Sequence, residues 1–220
     1  MDSTILINEK NTFRNLPEDK RWRIIDAAVH EFARNGYQGA SLNNIVRQLG
    51  IAKGSLYQYF KNKEAIFLFI FERFTNLVRL AVKDAPSNPA PDNFFTMVKR
   101  VLCAGIRFID QHPDYYQIYL KVLFEPGVPN REELISQVRL FSQEYFGPLC
   151  QRAKDLGEIR SDLDDQTAVF VIDAIMDRFL QGYAQSYLDG GLGFSKISAR
   201  QLEAKIDALI KVLQDGLSPS

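Results

Sequence analysis

Apolar residues in this chain recur at three- and four-residue steps and nowhere form an alternating strand pattern, which restricts it to packed helices. From Pro17 onward Trp22, Ile25, Val29 and Phe32, joined by Ala28 and Ala33, draw one stripe down a first helix that Gly36 ends. Ser41 is placed to cap a second helix, whose Leu42, Ile45, Val46 and Leu49 face inward, and Gly50 supplies the permissive backbone of a sharp turn. A short third helix follows over about 52–59. Lys63-Glu64 opens a long fourth one through Ile66, Phe67, Ile70, Phe74, Leu77, Val78 and Leu80. Three prolines in 84–93 forbid its continuation and predict a loop or linker. The helical period then returns over 94–111, 113 to about 123, 131 to about 156, 164–189 and 198–216, for an all-α chain of about nine helices.

Charge divides along this order. The 220 residues carry no net charge, but residues 1–83 hold 13 Lys and Arg against 8 Asp and Glu, so that segment is +5 and the remainder −5. Between Glu31 and Glu64 there is no carboxylate at all, only Arg34, Arg47, Lys53, Lys61 and Lys63. That window contains the second helix, the glycine turn and the third helix. A compact basic surface of this kind suits a phosphate backbone, because each neutralised phosphate releases condensed counterions.

Other classes find less support. Cys103 and Cys150 have no CxxC or metal-ligand spacing, so buried thiols in a reducing compartment are expected, with no metal. The run Ile5-Leu-Ile7 is too short for a signal-peptide core, and Ala65 to Phe71 is far below the roughly 20 residues of a membrane span. A cytoplasmic chain with a flexible N-terminal arm over 1–16 is expected. His30 and His112 sit on separate helices with no nucleophile elbow or phosphate-cradling loop, so no catalytic residue, enzymatic activity or cofactor is assigned.

Together, Ala27-Ala28, Phe32, Gly36-Tyr37, Ser41, Gly50-Ile51, the block Lys53-Gly-Ser-Leu-Tyr-Gln-Tyr-Phe60 and the Lys63 helix start resemble the N-terminal domain of TetR-family transcriptional regulators, over about 23–71. The resemblance implies a three-helix helix-turn-helix DNA-binding domain over 17–66, joined by the long fourth helix to a larger effector-binding and dimerisation domain over 67–220. It implies base contacts from the positions of Asn43, Lys53, Gly54 and Ser55, and phosphate contacts from those of Ser41, Tyr57, Gln58, Tyr59 and Lys63. Lys63 opposes the macrodipole at a helix start, which itself suggests an anionic partner. Leu56 and Phe60 read as core. Ala52 departs from the Ser, Thr or Asp common in the family and removes a side-chain cap worth about 1 kcal/mol.

The same resemblance implies a homodimer joined through the last two helices, with double-stranded operator DNA and a small-molecule effector as partners; the short apolar runs leave no membrane partner expected. Fourteen aromatics between Phe94 and Tyr187 suit a flat or lipophilic ligand. Candidate effector-binding residues are Arg107, Tyr115, Tyr119, Phe141, Tyr145, Asp173, Asp177 and Gln181. Asp173 and Asp177 share one face of an apolar helix, where burial is costly without a partner. They are read as a dimer-interface ion pair with a basic residue such as Arg178 or Lys205, as a solvent-facing edge, or as counter-charges to a cationic ligand. The overall reading is a repressor released from a palindromic operator by its effector, with an activator or a helical protein-binding module as alternatives.

Overall fold

The computed structural model describes residues 13–83 and 93–219, which form nine α-helices: α1 (Glu18–Gly39), α2 (Leu42–Leu49), α3 (Lys53–Tyr57), α4 (Lys63–Lys83), α5 (Phe94–Gln111), α6 (Pro113–Phe124), α7 (Arg131–Asp155), α8 (Asp165–Ala184) and α9 (Ala199–Leu217). Two short 3-10 turns lie between α8 and α9: Ser186–Leu188, inside the span expected as helix up to 189, and Phe194–Lys196, beyond it. All but Asn93 of the expected linker, and residues 1–12 of the expected arm, fall outside the described residues. Phe13, also assigned to the arm, is buried, with its ring 5.0 Å from that of Phe60. An apolar ring among polar neighbours gives no periodicity by which to foresee that anchor.

Two compact units divide the chain. One holds residues 13–77 and His112–Ile135, the other Val78–Gln111 and 136–219. In the first, Ile24, Ala28 and Phe32 of α1, Ile45 of α2, Leu56 of α3 and Ile66, Phe67 and Ile70 of α4 are buried together with Phe60. Burying an aliphatic or aromatic side chain of this size is worth about 1.5–3 kcal/mol, so this core outweighs the poor intrinsic stability of a five-residue helix such as α3. Trp22 departs from the expected inner stripe. It is 48% exposed, and the Arg73 guanidinium of α4 covers its ring at 4.2 Å.

Gly36 breaks α1 with φ 65° and ψ 178°, a backbone that L side chains avoid, and a Cβ there would overlap the Glu125 carboxylate. Gly50 ends α2 in the left-handed region, φ 68°, so the chain can turn sharply into α3. The helix starts use several devices. Pro113 occupies the first turn of α6. Asp164 accepts hydrogen bonds from the Thr167 amide and hydroxyl at α8. Ser198 and Gln201 form a reciprocal capping box at α9.

In the second unit α5 packs against α8 and α9 around Leu102, Phe146, Val169, Ile172, Ile206 and Leu213. Both cysteines are free, and burial pushes the Cys150 thiol up to about 11. Among the described residues, no helix is long and apolar enough to cross a membrane.

Candidate nucleic-acid interface

The basic window folds into a surface built on α2 and α3. The α3 residues with an apolar job turn inward: Leu56 and, just beyond the helix, Tyr59 and Phe60 are buried. Lys53, Gly54 and Tyr57 are exposed, and Ser55 is half-buried. Lys53 Nζ stands 5.9 Å from the Tyr57 ring centre, a weak cation–π contact that leaves the ammonium at the surface. A Cβ on Gly54 would meet nothing within 4 Å, so the backbone there is open to approach. Asn43 is exposed on α2, and Gln58 is exposed one residue after α3. Among the described residues, no carboxylate lies within ion-pair distance of Arg34, Arg47, Lys53 or Lys61.

Three expectations change once side chains are in place. Ser41 occupies the cap position of α2, but its side chain makes no capping bond. The work falls instead to Glu31 of α1, a carboxylate only 8% exposed, whose Oε1 accepts from the Ser41 amide at 2.8 Å and from Asn44 Nδ2 at 3.1 Å. Thirteen residues separate Glu31 from Asn44, so no local pattern signals the arrangement.

Lys63, at the start of α4, has acceptors within the fold. Its ammonium folds back onto the carbonyls of Tyr37, Gln38 and Ala40 at 2.8, 3.3 and 3.2 Å and lies 4.6 Å from the Tyr37 ring centre. It thereby satisfies acceptors left over at the end of α1. Tyr59 is buried against Phe13, ring centres 5.9 Å apart, so it packs into the core beside its place in the motif.

Helix α2 is held from both ends by α1. Glu31 sits at its N-terminus, and Arg23 Nη2 donates to the Leu49 carbonyl at 3.4 Å near its C-terminus. Each charge matches the sign that the helix dipole favours there.

The effector candidates divide between the two units. Tyr115 and Tyr119 belong to the first and are buried: Arg73 Nε donates to the Tyr115 hydroxyl at 3.0 Å, and Tyr119 stacks on Phe74 at 5.5 Å. Burial, partly offset by Arg73, raises the Tyr115 phenol above its ordinary value. The second unit holds the other six, with Arg107 exposed on α5. On α7, Phe141 and Tyr145 lie with ring centres 6.0 Å apart, and the Arg79 guanidinium stands 5.6 Å from the Phe141 ring.

Asp173 and Asp177 find within the chain a partner that the sequence readings did not name. Arg139 of α7 bridges them, with Nη1 to Asp173 at 2.8 Å and Nη2 to Asp177 at 2.6 Å; Ser142 adds a 2.6 Å bond to Asp173 and Gln181 a 3.0 Å bond to Asp177. The pair is therefore compensated within the chain. Within one chain the charge comes from Arg139, and neither Arg178 nor Lys205 supplies it.

Residues 24–70 match the family model for bacterial regulatory proteins of the tetR family, and 92–218 match that for the tetracyclin repressor-like C-terminal domain. The chain belongs to the TetR family. A solved TetR-family regulator from Chloroflexus aurantiacus is 30% identical, with a TM-score of 0.75 over 97% of this chain and 99% of that one. The probable acrEF/envCD operon repressor of Escherichia coli K12 is 23% identical over 87% of this chain and 86% of its own length. The Bacillus subtilis regulator FadR, solved in complex with stearoyl-CoA, shares the fold with a TM-score of 0.68 and 21% identity, over 89% of this chain and 98% of that one. The chain is thus a TetR-family DNA-binding transcriptional regulator, and α1 to α3 are its helix-turn-helix domain. TetR regulators bind DNA and a small-molecule effector and are not enzymes.

Proposed function

We propose that this regulator is a repressor that binds a palindromic operator as a homodimer and leaves it when a small lipophilic or aromatic effector binds. Residues 17–66 act as the head and 67–220 as the effector-binding and dimerisation domain, in the cytoplasm. The observation that carries the reading is the separation of roles on α3: Leu56 and the following Phe60 are committed to the core, while Gly54 and Tyr57 stand exposed beside Lys53, with which no carboxylate among the described residues pairs. Asn43, Lys53, Gly54 and Ser55 read base edges in the major groove, and Ser41, Tyr57 and Gln58 hold phosphates. Tyr59 and Lys63 support the same surface from beneath.

A five-residue recognition helix reads few base pairs, so useful specificity calls for two copies on half-sites about 34 Å apart or a multiple of that. An apolar face on the last two helices favours pairing through them. Phe170 of α8 is 69% exposed and Val212 of α9 67%, and Ala204 and Ala208 continue the Val212 row at four-residue steps. The effector reading draws on Phe141 and Tyr145, and on a relative solved with stearoyl-CoA. Release follows if the effector prefers a subunit arrangement whose heads no longer match the half-site spacing.

Selection of duplexes from a random pool, followed by screening of acyl and aromatic compounds for release, tests the whole reading. A palindromic sequence bound by a dimer and released by such a compound is expected. A monomer at working concentration, or binding enhanced by every active compound, refutes the corresponding part. Arginines at Phe170 and Val212 together should yield a monomer.

A further inference from the structure

We infer that Glu31 is a positioning residue of the DNA-binding surface, and that it acts through Asn44 to aim the guanidinium of Arg47 at a DNA phosphate. The polar chain is continuous. Glu31 Oε1 accepts from Asn44 Nδ2 at 3.1 Å, and Asn44 Oδ1, the other end of the same amide, accepts from Arg47 Nη2 at 2.9 Å. Because the amide's NH2 is taken by a carboxylate that can only accept, its oxygen must face the other way, and the amide cannot flip without losing both bonds. A carboxylate this deeply buried needs hydrogen bonds in place of water, and the Ser41 amide and Asn44, both donating to Oε1, supply two and hold it as it holds them.

Arg47 is where this chain reaches the surface. It is exposed, one turn along α2 from exposed Asn43, and no carboxylate among the described residues pairs with it. An arginine tethered by one nitrogen keeps its remaining N–H donors for another acceptor, and a fixed guanidinium loses less rotamer entropy when it binds one. Arg47 is therefore pre-oriented toward whatever Asn43 faces. The buried end of the chain lies in α1, so the first helix sets the aim of a residue on the second.

The test measures affinity and its salt dependence for the duplex that the wild-type chain recovers from a random pool, with thermal melting run beside it. Arg47→Ala should lower the slope of log affinity against log salt by about one. Asn44→Ala should weaken binding by roughly as much, about tenfold, and adding Arg47→Ala to it should cost little more. Glu31→Leu should behave like Asn44→Ala, whereas Glu31→Gln, which keeps an acceptor oxygen, should restore the salt slope. If Glu31→Leu does not fold, the cycle between Asn44 and Arg47 decides alone. Losses that add in full, or an unchanged slope in Arg47→Ala, overturn the inference while leaving DNA binding itself intact.

Discussion

The surface of α2 and α3 and the face between α7 and α8 use the same kinds of charged residue to opposite ends. On α7 and α8 Arg139 is bracketed by Asp173 and Asp177, and elsewhere in that unit Lys99 meets Asp207 and Lys154 meets Asp165, both at 2.5 Å. Those cations neutralise the chain's own carboxylates. On α2 and α3, Arg47 and Lys53 have no carboxylate partner among the described residues, and Glu31 of α1 is turned inward onto the Ser41 amide and the Asn44 side-chain amide. A protein field is made by charges that are left over, which is why a chain of zero net charge can still present a local anion-binding surface.

Salt gives the largest expected contrast. Raising it from 50 to 200 mM should weaken DNA binding on the order of a hundredfold or more if several phosphates are contacted, measured by fluorescence anisotropy. A flat response would mean that the uncompensated cations are not used.

Removing a compensated cation should act on folding instead. Arg139→Met strands two half-buried carboxylates; breaking a fully buried pair costs about 3–5 kcal/mol, and partial exposure brings the expected loss here to about 2 kcal/mol. Adding Asp173→Asn and Asp177→Asn should recover much of it in chemical denaturation. If Arg139→Met is neutral, the bridge contributes nothing.

Within the head, two lysines sharpen the same distinction. Lys53→Ala should leave the melting temperature within the scatter of surface substitutions, about 0.5 kcal/mol, yet lower affinity and relax base preference at one operator position. Lys63→Met should destabilise the fold by about 1–2 kcal/mol, because three carbonyls lose their donor. Exchanged outcomes would invert the roles assigned here.

The smallest effect concerns pH. Burial, reinforced by Asp110, pushes the Tyr183 phenol up to about 12 from its ordinary value of 10.0, and its hydroxyl donates to Asp110 at 2.7 Å. The folded state holds that proton more tightly, so the contribution is fully present below pH 10 and disappears as pH rises through 12. Tyr183→Phe should cost about 0.5–1 kcal/mol at neutral pH and progressively less above pH 10. An equal cost at both ends would show that the hydroxyl is not involved.

Much of the fold was legible because helical order depends on local period. The stripe through Ile25, Val29 and Phe32, the glycines at 36 and 50, and the proline at 113 each act within a few residues. The inward placement of Leu56 and Phe60 followed from the same rule. Trp22 was misread because periodicity marks a side chain as apolar without saying what covers it, and here that is Arg73, fifty-one positions away. Ser41 was misread because a capping residue is recognised by type, whereas the acceptor comes from Glu31 on another helix.

Sequence alone determined the all-α class, the order of helices, the basic window and the family, since all of these rest on neighbours along the chain or on a motif contained in it. Tertiary structure alone decided which charges were used up: Asp173 and Asp177 on Arg139, Lys63 on the last carbonyls of α1, Glu31 on the start of α2. Electrostatic partners are chosen by distance in space, and hydrogen bonds between helices bring together residues whose separation in sequence, from 10 to 38 positions in these cases, leaves no periodic trace.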